Sequence, residues 1–185
     1  MKRPITAELF TSIDLVVAAP QEWHFPWVDE AMLTEISREQ TTSTLLLGRT
    51  TYDVFASSWP EQGDDVPLAA QLNGMTKVVV SDRIAEAEAN WGETRILRPR
   101  GDLASAIGSL DECGDDRITV AGSISLVEQL LSDGLLSELR LIVHPLVLGT
   151  GRRLFDGWGA GRIAFSHDES TPLGNGARLD VYRPA

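Results

Sequence analysis

Apolar residues fall into two rhythms along this chain, and the rhythms take turns. Short apolar runs of strand length occupy residues 9–19, 44–48, 77–81 and 118–121, as expected of strands buried on both faces of a sheet. Between them apolar side chains recur at helical spacing, in Val28, Met32 and Ile36, in Leu103, Ile107 and Leu110, and in Val127, Leu130 and Leu131. Asp102 stands where an N-cap belongs and Gly134 where a helix ends. This alternation predicts an α/β fold with a largely parallel sheet covered by helices. After Gly134 the helical rhythm stops. Residues 138–148, 162–165 and 177–182 read as strands joined by Gly-rich loops, which predicts antiparallel pairing at one edge of a mixed sheet. Residues 139–147 read as an apolar outer edge strand on which a second copy could pair, so a homodimer is an expectation.

Composition narrows the picture. The 185 residues, 43% of them apolar, suffice for one domain with a sizeable core, and a single domain over 1–185 is expected. No repeat or low-complexity segment interrupts it, and residues 61–66 (EQGDDV) read as a polar loop. The absence of any run of about 18 apolar residues, or of a basic start followed by an apolar stretch, leads us to expect a soluble, cytoplasmic protein with no membrane partner. The single Cys113 can form neither an internal disulfide nor a multi-cysteine zinc site. A net charge of −11 opposes general nucleic-acid binding.

Candidate chemistry concentrates where apolar runs give way to helical spacing. In ITVAGSISLVEQLL, residues 118–131, only small residues separate strand from helix. The first N–H groups of such a helix lack internal partners and carry the positive end of its dipole, so they can hold an anion. Gly122 admits a ligand to the backbone, and Ser123 and Ser125 add hydroxyls. Alternatively, Gly122 serves a tight turn and Ser125 caps the helix. A second junction, LLLGRTTYDVF at 45–55, passes through Gly48 into Arg49 and Thr50, and Arg suits phosphate through its planar fork. The third, at 80–83, places Ser81 and Arg83 after an apolar run. Ligands of open α/β sheets bind beyond the carboxyl ends of the strands. None of the three matches the P-loop pattern, so ATP hydrolysis is not expected.

LLLGRTTYDVF, KVVVSDR, VAGSISLVEQLL and ELRLIVHPLVLGTGRRLF, in this order, resemble the dihydrofolate reductase-like superfamily. The likeness is greatest to the reductase domain of the bifunctional riboflavin-biosynthesis protein, and it covers nearly the whole chain. It implies a mixed, mainly parallel sheet that binds NADPH and transfers hydride to a heterocycle or a sugar-derived acceptor, with 5-amino-6-(5-phosphoribosylamino)uracil among the candidates. By that resemblance Gly48, Arg49 and Thr50 meet the cofactor's phosphates and Ser81 and Arg83 lie near the adenosine 2′-phosphate. Gly122, Ser123, Ile124, Ser125 and Leu126 would cradle the pyrophosphate. The first strand resembles the family's Ser-Leu-Asp-Gly stretch, which assigns Ser12 and Asp14 to the acceptor, but Leu15 replaces the Gly. Asp14 lies in an apolar run, where a carboxylate needs partners or a shifted pKa, and is the candidate for substrate binding or proton relay. Relatives in the riboflavin pathway carry a Glu where this chain has Val120, which cannot accept hydrogen bonds from a pyrimidine.

Residues 21–28 hold Trp23, His24, Phe25 and Trp27. Trp23 is a candidate to stack on substrate and His24 to act as an acid, while Phe25 and Trp27 read as a packing plug. His144 and His167 are isolated and read as structural, so no metal site is expected. Residues 149–155 contain Gly-x-Gly, but no helical pattern follows as a dinucleotide fingerprint requires. The alternative to an enzyme is a non-catalytic nucleotide-binding or self-associating protein on the same fold.

Overall fold

The computed structural model describes residues 3–40, 43–63, 65–110 and 117–185; Cys113, and Asp64 of the 61–66 loop, lie outside these. One eight-stranded sheet runs through the molecule. Its strands in chain order are β1 (Ile5–Ser12), β2 (Ser43–Gly48), β3 (Lys77–Val80), β4 (Thr94–Leu97), β5 (Arg117–Ala121), β6 (Glu138–His144), β7 (Phe165–Pro172) and β8 (Arg178–Pro184). The spatial order is β4-β3-β2-β5-β1-β6-β8-β7. The strands from β4 to β6 pair in parallel, and β8 and β7 add antiparallel at one side. The predicted mixed sheet is therefore present.

Among the described residues five α-helices flank it: α1 (Glu30–Gln40), α2 (Arg49–Ala56), α3 (Ala69–Gly74), α4 (Leu103–Gly108) and α5 (Ile124–Ser132). On one face, Ala7, Leu46, Val78 and Val120 meet Leu103 and Ile107 of α4 and Val127, Leu130 and Leu131 of α5. On the other, Leu45, Leu47 and Val79 meet Tyr52 and Leu72 of α2 and α3, and Ile142 and Leu179 meet Met32 and Ile36 of α1. The alternation of faces along β2, Leu45 and Leu47 against Leu46, is the period of two that a twice-covered strand requires. Beside the apolar contact of α1 a polar one also joins it to the sheet: Arg140 of β6, 3% exposed, pairs with Glu8 of β1 at 3.1 Å and Glu35 of α1 at 2.6 Å.

The caps follow the sequence. Asp102 accepts the amide of Ser105 at 2.8 Å. Gly134, at φ 64°, follows α5 with Leu135 N–H bonded to the Leu130 carbonyl and Gly134 N–H to that of Leu131, a Schellman ending.

Several boundaries move. The strand expected over 9–19 starts at Ile5 and stops at Ser12, where Ser12 Oγ accepts the Val16 amide and Leu15 turns the chain at φ 63°. The run at 138–148 ends at His144, before Pro145, and the strand expected at 162–165 begins at Phe165. β4 and α3, short and without strong periodicity, carried no signal. The expected outer edge at 139–147 is interior, since β6 lies between β1 and β8, while the sheet's edges are β4 and β7. A second copy therefore cannot pair on β6.

Candidate functional site

The three strand-to-helix junctions of the sequence lie side by side. β3, β2 and β5 are neighbours, Gly48 stands opposite Val80, and Leu46 stands opposite Val120. Gly48, Ser81 and Gly122 thus leave adjacent parallel strands on one rim. Ser123 locks two of the turns together, its Oγ accepting the Gly48 amide at 2.7 Å and donating to Thr51 Oγ1 at 2.8 Å. Gly122 and Ser123 sit at φ 71° and 68°, and a Cβ on Gly122 would stand 3.4 Å from Thr51 Cγ2. Glycine meets both demands at once, a left-handed turn and close approach.

This lock corrects part of the expected cradle. The Ser123 hydroxyl is consumed in the protein, while its N–H has no backbone acceptor among the described residues. Ser125 does not cap α5; Ser123 is the N-cap residue, and Ser125 Oγ accepts from Arg152 at 3.1 Å, which leaves its own O–H to donate. Leu126 turns its side chain into the core, and its amide bonds the Ser123 carbonyl at 2.9 Å, so it braces the turn from below. Ile124 is half-buried at the core's margin, and Thr50 is exposed on the first turn of α2.

Arg49 is not an open cation. Its guanidinium makes a fork with Glu88, at 2.7 and 3.2 Å, and its Nε lies 2.7 and 2.8 Å from the two oxygens of Asp53. Glu88, then Asp53, raise the arginine's already high pKa, and Arg49 and the Ala85 amide hold Glu88 below the usual carboxylate range. Ser81 Oγ accepts the amides of Arg83 and Ile84, each at 3.2 Å, and so shapes its turn. Arg83 is exposed, with no side-chain partner among the described residues; of the two rim arginines it is the one presented to solvent.

Across β5 the rim continues to β1 and β6, where Ser12 faces His144. Ser12 is wholly buried, and its hydroxyl donates to Asp14 at 2.7 Å. Asp14 also accepts the amides of Leu148 at 3.1 Å and Gly149 at 3.0 Å, and Arg153 at 3.1 Å. The Ser12 hydroxyl above all, with the Leu148 and Gly149 amides and Arg153, holds the Asp14 carboxyl well below its usual range. The expected proton relay loses its basis, because a carboxylate committed to four donors neither carries nor exchanges a proton readily. Asp14 instead pins the 148–153 loop beside the end of β1. Leu15, in the place of the resembled Gly, sits at φ 63° in spite of its side chain, at a cost of about 1–2 kcal/mol. Val120 is fully buried in the core, so it presents nothing to a ligand.

The aromatic segment packs over this end of the rim. His24 stacks on Phe10, ring centres 4.7 Å apart, and His144 meets Phe10, Trp23, His24 and Trp27 edge to face. Trp23 Nε1 donates to the Ala18 carbonyl at 3.0 Å, so its indole is anchored at one end. Burial first, and His144 second, push His24 down to about 4; burial likewise lowers His144. His144 reads as isolated in the sequence because the rings around it come from β1 and the 21–28 segment, which only folding brings to β6.

The Gly149 and Gly151 turns, at φ 75° and 113°, lead back to a bridge between Arg153 and Val16 and not into a helix. Among the described residues no group of three or more His, Cys, Asp or Glu could hold a metal ion, and no helix is long and apolar enough to cross a membrane.

A model of the RibD C-terminal domain family matches residues 3–179. YyaP of Bacillus subtilis (strain 168) is 26% identical over 115 residues, which cover 60% of this chain and 58% of that protein; the chain thus spans little more than half of the curated relative it matches. Among solved structures, a riboflavin biosynthesis protein (putative in its own description) from Shewanella sp. PV-4 superposes with a TM-score of 0.74 at 18% identity, over 98% of this chain and 99% of that one. Dihydrofolate reductase from Enterococcus faecalis, complexed with NADP(H), superposes with a TM-score of 0.62 at 14% identity, over 100% of this chain and 98% of that one. At such identities the superpositions show a shared fold.

Proposed function

Because this chain belongs to the RibD C-terminal domain family, we propose that it is an NADPH-dependent reductase. The dinucleotide lies across the ends of β3, β2 and β5 and passes hydride to a small heterocyclic or sugar-derived acceptor beyond β1 and β6. The observation that carries this reading is the adjacency of the three junctions, two of them interlocked through Ser123. The donors suit a diphosphate: the amides of Ser123, Ile124 and Ser125 and the Ser125 hydroxyl follow directly on Gly122, which has no side chain to fill the approach. Gly48, Arg49 and Thr50 border the neighbouring phosphate position. Ser81 shapes the turn from which Arg83 reaches the 2′-phosphate. The nicotinamide supplies the hydride, and the protein supplies position and electrostatics. Ser12 and Asp14 act by setting the shape of the acceptor end. Buried Val120 offers no carboxylate to the pyrimidine of 5-amino-6-(5-phosphoribosylamino)uracil, which favours a different acceptor.

Quenching of tryptophan fluorescence by NADPH, followed by its oxidation across a panel of pterins, pyrimidines and carbonyls, tests the reading. Arg83→Ala should weaken NADPH about tenfold and leave NADH unchanged, since the two differ by the 2′-phosphate. The commitment of Asp14 to four donors favours a second reading, a nucleotide-binding protein without turnover. Quenching with no oxidation of NADPH by any acceptor would select it.

A further inference from the structure

Two buried imidazole nitrogens at the acceptor end, His144 Nε2 and His24 Nδ1, have no hydrogen-bond partner among the described residues. For His144 the tautomer follows from its surroundings. Its Nδ1 lies 3.0 Å from the Ile142 carbonyl and 3.3 Å from the Thr11 carbonyl; both can only accept, so Nδ1 carries the proton and Nε2 is a bare acceptor. Nε2 is on the far side of the ring from those strand carbonyls. His144 is 0% exposed, and a buried acceptor with no donor is costly unless a ligand satisfies it in the working state.

One of the four rings that meet His144 is poorly secured. His24 lies flat on Phe10, the two planes 17° apart, in the arrangement of one planar ring on another. It is carried by residues 20–28, two single-turn 3-10 helices at Pro20–Glu22 and Phe25–Trp27. Among the described residues, every hydrogen bond of this segment runs within residues 18–28. Side-chain packing, of Trp27 and Val28 on the core and of the rings on Phe10 and His144, holds it on the sheet, and segments without long-range hydrogen bonds open at low free-energy cost. Phe25, at 64% exposed, adds little burial.

We infer that His24 is an internal stand-in for the acceptor: a planar, uncharged ring displaces it from Phe10 and donates a ring N–H to His144 Nε2, which makes His144 the residue that reads the substrate. The inference rests on the reductase reading for the place of the acceptor. Among the heterocyclic and sugar-derived acceptors of that reading it selects flat rings that present a ring N–H to His144. The cations beside this end of the rim are already paired, Arg153 with Asp14 and Arg152 with Glu128, so an uncharged ring fits better than a phosphorylated one.

The test uses lumazine, a planar uncharged bicycle with ring N–H groups, against 1,3-dimethyllumazine, which keeps the ring and lacks those donors. In the wild type lumazine should bind about tenfold more tightly than its dimethyl analogue. His144→Phe and His144→Gln should remove that preference in the first case and reduce it in the second. His24→Ala, at a half-buried position tolerant of truncation, should bind lumazine about tenfold more tightly than the wild type because the competitor is gone. Equal binding of the two compounds, unchanged or weaker binding to His24→Ala, or no binding by either protein at millimolar concentration would each overturn the inference. NADPH titrations of the same proteins separate the two levels. Lumazine discrimination without NADPH binding removes the reductase reading and keeps the role of His144, and NADPH binding without lumazine discrimination does the reverse.

Discussion

The two ends of the rim solve the problem of holding a ligand with different materials. Beyond β3, β2 and β5 the groups are backbone amides, small hydroxyls and glycines, each placed by the strand or helix it terminates. Beyond β1 and β6 they are rings and a clamped carboxylate, placed by side chains from β1, β6 and two loops. The first end is preorganised by secondary structure and the second by tertiary contact, so the first should tolerate rearrangement of packing and the second should depend on it.

The sharpest way to separate them is Gly122→Val. A β-branched residue at φ 71°, against Thr51, should cost at least about 2 kcal/mol of stability and lower NADPH affinity about a hundredfold, measured by urea unfolding and fluorescence quenching. The His24 and His144 ring resonances should stay in place; if they move, the two ends are not independent. Ser123→Ala should have the next largest effect, about 1–2 kcal/mol in unfolding, because it strands the Gly48 amide, with roughly tenfold weaker NADPH binding.

Acid should act on the other end. His24 titrates near 4 in the folded protein against 6.5 for an ordinary histidine, chiefly from burial. The unfolded chain therefore takes up the proton first, and stability is intact above about 6.5 and declines as pH falls toward about 4. Partial solvent access limits this to about 1 kcal/mol, and the decline should shrink in His24→Phe. The smallest effect expected is at Arg49. Already spent on Glu88 and Asp53, it should lose no more than about threefold in NADPH affinity on mutation to Ala, whereas Glu88→Gln should tighten binding by a similar factor.

The same contrast decides what could be read from the chain. The strand ends at Gly48, Ser81 and Gly122 are local events, a change of period punctuated by small residues, and their adjacency follows once parallel order is inferred. The occupancy of the groups there was only partly legible: Asp53 stands four residues from Arg49, but Glu88 and, for Ser123, Gly48 lie 39 and 75 residues away. At the acceptor end almost nothing was local. Asp14 is prominent as a carboxylate in an apolar run with Ser12 two residues away, but its three other donors come from residues 148–153. His144 carries no motif at all. Short elements were lost for a related reason: β4, at four residues, and α3, at six, are too brief to display a period.

The buried triad of Glu8, Arg140 and Glu35 has a mechanical corollary. By welding α1 to the two central strands it denies residues 20–28 a pivot at their downstream end. Any swing of that segment would be taken up upstream at Ala19, which rests at φ 47°, because Leu15, Val17 and Ala18 are tied to residues 152–154 by backbone hydrogen bonds.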